Sequence, residues 1–152
     1  MDRRQKKLVS NLITVSIFTI VMVFGLVTFK DAVNKSEAIR ATELLSKEIL
    51  AYHKRSGSLP SKNYIDQFLE RIGAVRIGEI QYRAQWIGYG SDKAKTILAY
   101  SKKNYSGLLK SGYIVIRLNG QVEWMSPNRF EPVLQIQQQQ SELDWLKTQI
   151  TK

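Results

Sequence analysis

Cysteine is absent from this 152-residue chain and histidine occurs once. The first absence excludes a disulfide framework, a thiolate zinc site and a cysteine nucleophile; the second excludes most histidine-based metal sites. Charge is missing from one place only. The stretch from Leu8 to Phe29 has none, so all 23 basic and 13 acidic side chains lie outside it. What remains is polar and basic, with three Trp and seven Tyr to build a modest core. That composition excludes a collagen-like, wholly disordered or polytopic membrane chain.

The charge-free run is 22 residues, 14 of them Leu, Ile, Val or Phe. As a helix it reaches roughly 33 Å, enough to cross a hydrocarbon core of about 30 Å. Insertion of those side chains, at about −0.3 to −0.6 kcal/mol each, outweighs the smaller costs of Asn11 and the scattered Ser and Thr. The alternative is a cleaved signal peptide, with residues 1–7 as its basic region. Against it, the run exceeds the usual apolar length, and Phe29-Lys30-Asp31-Ala32 is a poor small-x-small cleavage site. The expectation is therefore a retained single-pass anchor. Arg3, Arg4, Lys6 and Lys7 should hold the N-terminus in the cytoplasm and place residues 30–152 beyond the membrane. In a bacterial cell that is the inner, cytoplasmic membrane.

Helical periodicity continues past the run. Ala38/Ile39, Thr42, Leu45, Ile49 and Tyr52 form one stripe, with Lys35, Arg40, Glu43, Lys47 and Lys54 on other faces. His53, Lys54 and Arg55 suit a helix C-terminus, Gly57 a left-handed cap, and Pro60 the exit. Ser61 opens a short helix carrying Tyr64, Ile65, Phe68, Leu69 and Ile72, ended by Gly73. The period then becomes two. Ile80, Tyr82, Ala84 and Trp86 alternate with Gln81, Arg83 and Gln85, as in a half-buried strand. Residues 96–100 read as a second strand, and 113–118 with 121–125 as a hairpin around Asn119-Gly120. A glutamine-rich tail follows, amphipathic and helical after Ser141.

These elements give an α+β fold. A long N-terminal helix, membrane-spanning in its first half, packs against a small antiparallel sheet of three to four strands, with a C-terminal amphipathic helix. The expected organisation is a basic cytoplasmic segment (1–7), a transmembrane helix (8–29), an extracytoplasmic head (30–130) and a glutamine-rich helical extension (131–152).

Two local sequences add a family resemblance. The helix exit Ile49-Leu-Ala-Tyr-His-Lys-Arg-Ser-Gly-Ser-Leu-Pro60, followed by Phe68-Leu-Glu-Arg-Ile72, resembles that of type II secretion pseudopilins. The segment Tyr113-Ile-Val-Ile-Arg-Leu-Asn-Gly-Gln-Val-Glu-Trp124, followed by Phe130, is similar to the closing hairpin, Asp-Gly-His-Val-Glu-Trp, of planctomycete-type pilin-like proteins. Here Asn119 and Gln121 replace the Asp and His. The resemblance implies a pilin-like head that acts as a structural or interaction subunit, in an oligomer or complex with other envelope subunits. It departs at the leader: Lys7 stands where the family has Gly, Leu8 where it has Phe, and Leu12 where it has the glutamate that neutralises a neighbour's amino terminus. The expectation is a non-processed, membrane-anchored relative.

No enzymatic chemistry is expected, and no cofactor or metal. His53 reads as a helix-end cation rather than a catalytic base. Gly88-Tyr-Gly-Ser91 lacks the Gly-Lys-Ser/Thr ending of a phosphate loop and reads as a turn. Asp66 and Glu70 share a solvated face with Lys62 and Arg71. The basic excess centres on Lys93, Lys95, Lys102, Lys103 and Lys110, with Tyr100 and Tyr105 between. Three readings of it stay open: lysine-blunted edges, attraction to membrane lipid or an acidic partner, and a nucleic-acid surface. The alternative to the structural reading is a membrane-tethered cationic binding module for nucleic acid or an anionic surface.

Overall fold

In the computed structural model, residues 2–88, 90–139, 142–143 and 146–147 are described. Helix α1 (Arg3–Ser56) is a single 54-residue rod, about 80 Å long at 1.5 Å per residue. Its first half is long and apolar enough to cross a membrane, and none of that window is buried against the protein. In its second half one stripe turns inward: Ala38, Thr42, Leu45, Ser46 and Ile49 are all buried. The helix ends as its sequence requires. Gly57 adopts φ 73° and donates its N–H to the His53 carbonyl, and the basic residues His53, Lys54 and Arg55 fill the last turn.

Ser61 caps α2 (Lys62–Arg71) by accepting the Tyr64 N–H on its side chain. The Tyr64 hydroxyl donates to Glu48 of α1 at 2.5 Å, and the Tyr52 and Tyr64 rings meet at 4.7 Å. Beyond α2 come a 3-10 turn at Val75–Ile77 and four strands: β1 (Gln81–Tyr82), β2 (Ile97–Lys103), β3 (Gly112–Arg117) and β4 (Val122–Met125). They form an antiparallel meander in chain order. The β3–β4 connection is a three-residue loop rather than a two-residue one. Gly120 N–H reaches the Arg117 carbonyl and Arg117 N–H the Gln121 carbonyl, with Gly120 at φ 88°. A Cβ on Gly120 would lie 2.3 Å from Leu50 of α1, while Ser46 donates to the Gly120 carbonyl at 2.6 Å. The turn is thus pressed onto the helix, and only glycine fits there.

Both faces of the sheet are covered. On one, Leu45 and Ile49 of α1 meet Ile65, Ile77, Ile80, Leu98, Ala99 and Ile116. On the other, Ile97, Val115 and Met125 pack with Phe130 and Leu134 of α3 (Pro127–Gln137), where Tyr113 stacks on Phe130 at 3.9 Å. Helix α3 is an element the glutamine-rich composition conceals. It runs through the position where the head is expected to end and the tail to begin. Of the terminal helix expected after Ser141, only Glu142, Leu143, Leu146 and Lys147 are described; Trp145 lies outside the described residues.

The strand expected over residues 80–86 is corrected. Only Gln81 and Tyr82 pair with β2, and Ala84–Trp86 is a 3-10 turn. The alternation fails at Arg83, expected to face solvent but 3% exposed. Its guanidinium has buried acceptors, so the chain turns inward there instead of continuing along the sheet.

Leu45→Ala should lower the unfolding free energy of the detergent-solubilised protein by about 2–5 kcal/mol in chemical denaturation, since it opens a cavity at the centre of the helix–sheet core. A second expectation concerns Tyr82, whose hydroxyl donates to the Pro60 carbonyl at 2.9 Å. Burial pushes its pKa well above the ordinary 10.0. The unfolded chain releases this proton first, so the stability it contributes is complete below pH 10 and lost as pH climbs above it. Tyr82→Phe should make the alkaline loss of stability shallower.

Candidate interaction surfaces

The five lysines do not converge. Lys93 and Lys95 lie in the Asp92–Thr96 turn before β2, where the Lys93 carbonyl accepts the Asn119 N–H and places them beside the β3–β4 loop. Lys95 pairs loosely with Asp92 at 3.6 Å. Lys102 and Lys103 sit at the other end of β2, opposite Tyr113 and Gly112. Seven strand residues separate the pairs by about 20 Å. Lys110 lies in the β2–β3 loop near the second pair. Lys103 is half-buried and already occupied, its ammonium capping the 3-10 turn by donating to the Arg76 and Ile77 carbonyls. Burial holds its pKa below the usual lysine value. Four exposed cations in two groups therefore remain.

Two arrangements escape the sequence reading. The first is the Arg83 clamp. Its Nε and Nη2 grip Glu142 at 2.6 and 2.9 Å, Nη1 donates to the Ile97 carbonyl at 2.8 Å, and Nη1 and Nη2 also reach the Gln137 side chain and carbonyl. All five guanidinium protons thus have acceptors. The Gln137 side chain in turn accepts the Ile97 N–H and donates to the Lys95 carbonyl. Helix α3 and the residue pair beyond it are bolted to the start of β2 by one buried fork. The alternating pattern around Arg83 hides this, because an arginine between apolar positions reads as a solvated one.

The second is a collar where α1 leaves its apolar half. Asp31, 7% exposed, accepts the backbone N–H groups of Ser106 and Gly107 at 3.1 and 2.8 Å. The Leu108 N–H approaches the Thr28 hydroxyl at 3.5 Å. Beside it Trp124 stacks with Tyr105, with ring centroids 5.9 Å apart, and receives the Lys35 ammonium 3.9 Å above its ring. The available signal was a lone carboxylate immediately after a charge-free run. Its partners lie about 75 positions away, beyond the reach of any local pattern.

The other sequence candidates lie at separate places among the described residues. No three His, Asp or Glu side chains among them gather to hold a metal ion. His53 is exposed in the last turn of α1. Gly88–Ser91 is a turn closed by the Ser91 hydroxyl on the Gly88 carbonyl; Tyr89 lies outside the described residues. A cleft of about 570 Å³ opens between Leu59, Pro60, Lys62, Tyr82, Ala84 and Gln85. Two of its polar groups are engaged, Lys62 with Asp66 at 2.8 Å and Tyr82 with Pro60.

The clamp makes a distinctive energetic prediction. Glu142→Leu or Arg83→Met alone should cost about 3–5 kcal/mol of stability, because each strands a buried charge, whereas the two together should recover most of it. A double-mutant cycle by denaturation checks the non-additivity. No protein-family model, curated protein or solved structure matches this chain.

Proposed function

We propose that this chain is a single-pass membrane-anchored, pilin- or pseudopilin-like subunit with a structural or interaction role in a cell-envelope secretion or pilus-type assembly. One observation carries the reading. The same unbroken helix, Arg3–Ser56, is bare and apolar in its first half and buried under a four-stranded antiparallel sheet in its second. Such a rod can lie among lipids and neighbouring helices at one end while presenting a folded head at the other. In this reading Arg3, Arg4, Lys6 and Lys7 stay on the cytoplasmic side of the inner membrane and the head lies beyond it.

The collar supports retention of the anchor over cleavage. Scission near Ala32 would remove Thr28 and Asp31, whose side chains hold the β2–β3 loop. The cationic-module alternative, for nucleic acid or an anionic surface, has less support. Its lysines divide between two ends of β2, and Lys103 is spent on backbone carbonyls.

Affinity purification of the detergent-solubilised full-length protein from its native membranes tests the proposal. Co-purification of pilin-like subunits, an assembly ATPase or a secretion platform protein is the expected outcome. It should be unchanged when Lys93, Lys95, Lys102 and Lys110 are replaced by Gln. An eluate free of such proteins would overturn the reading, and recovery that collapses on lysine replacement would favour the cationic module.

A further inference from the structure

The β2–β3 loop is built in a way that the head's own packing does not require. It leaves the sheet, crosses to α1 and lays Leu108 alongside the apolar half of the helix. There Leu108 is 79% exposed and, with Ile20, Phe24, Gly25, Thr28 and Phe29, borders an apolar groove of about 740 Å³. A single exposed leucine on a surface is ordinary. This one extends an apolar surface that includes Leu12, Ile13, Phe18, Val21 and Phe24, all more than half exposed.

We propose that the head is seated on the bilayer through this loop, with Leu108 immersed at the edge of the outer leaflet's hydrocarbon and its occupant groove filled by lipid. The inference rests on the proposed membrane anchor. Depth is the first argument. Gly25 and Thr28 precede Phe29, the last residue of the charge-free run, so the residue packed beside them lies inside the apolar zone by up to about 6 Å.

Backbone chemistry is the second. A loop brought to the edge of hydrocarbon loses water as a partner for its N–H groups, and each unsatisfied one is costly. Here the N–H groups of Ser106, Gly107 and Leu108 all have α1 side-chain oxygens, from Asp31 and Thr28, in water's place. Gly107 makes the approach possible: a Cβ there would stand 3.1 Å from the Thr28 Cα and from the Asp31 carboxylate.

The surroundings match the boundary. Trp124 and Tyr105 form a stacked pair one turn further along, at the level where aromatic side chains concentrate at membrane interfaces. Lys30 and Lys110 are exposed at the same rim, suited to anionic headgroups. Leu109 is half-buried in the adjoining groove of Ala32, Ser36 and Ile39, so the loop straddles the helix and cannot simply swing away from it. Lipid is the fitting occupant because the groove is continuous with the surface that the anchor already gives to lipid.

The absence of native cysteine allows a clean test with the full chain. Single variants Leu108→Cys, Ile17→Cys and Val75→Cys are labelled with an environment-sensitive fluorophore and reconstituted into vesicles of phosphatidylethanolamine and phosphatidylglycerol. Quenching is read from lipids spin-labelled at shallow or deep acyl positions and from aqueous iodide. The label at 108 should be quenched by the shallow lipid several-fold more than the label at 75, and shielded from iodide. The label at 17 should respond to the deep lipid. If 17 is lipid-quenched but 108 behaves like 75, the seated loop is refuted while the anchor stands. A label at 108 shielded from iodide and lipid alike would place protein in the groove, and also refutes it. If 17 escapes lipid quenching, the anchor itself fails and the seated loop with it.

Discussion

A helix satisfies its own backbone in an apolar surrounding as well as in water, and α1 runs unbroken over 54 residues. The rest of the structure follows from what its side chains then demand. In the first half the charge-free window is apolar and none of it is buried against the protein. In the second, a stripe of Ala38, Thr42, Leu45 and Ile49 must be hidden. The short α2, the 3-10 turn and the meander are laid across that stripe. A sheet strand such as β3, apolar at Ile114, Val115 and Ile116 in succession, then needs cover on its second face as well. Helix α3, with Phe130 and Leu134, supplies it. The order is helix, sheet, helix, each layer present because the previous one left apolar surface bare.

Apolar burial decides where elements lie, and a few charged side chains decide how loose ends are fixed. Arg83 ties the end of α3 and Glu142 to the start of β2 across a sequence separation of 59 residues. Asp31 ties the β2–β3 loop to α1 across 75. Both are nearly buried and satisfied by several hydrogen bonds, the condition under which a buried charge is tolerated. They act at opposite ends of β2. One closes the head away from the helix's apolar half and the other docks it there. The exposed lysines, by contrast, divide between the two ends of β2.

Periodicity made the elements of longest pattern legible. The stripe of α1, its Gly57 stop, the Ser61 cap and the Asn119–Gly120 hairpin are local signals, each with a local cause, and each has its structural counterpart. The α+β architecture followed from them. Helix α3 was not legible, because Pro132 lies inside it and its glutamines carry no period; it packs Phe130 and Leu134 on the sheet. Residues 80–86 misled for the opposite reason. The alternation is real, but Arg83 sits at its centre with partners in residues 97, 137 and 142. The lysine cluster was close in sequence and separated in space, since a seven-residue strand puts its ends far apart. Asp31 gave no signal beyond its position, although its partners lie 75 and 76 residues along the chain.

The account turns on α1 being one rigid rod through the boundary between its apolar half and its packed half. Spin labels on introduced cysteines at Phe18 and Glu43, both exposed and nearly in phase on the helix, measure this by pulsed dipolar spectroscopy of the full chain in bilayer nanodiscs. A continuous helix predicts a narrow distribution centred at about 37 Å, from 1.5 Å per residue. A broad distribution, or one centred well below that distance, would mean that the helix bends or breaks at the boundary, and would contradict the account.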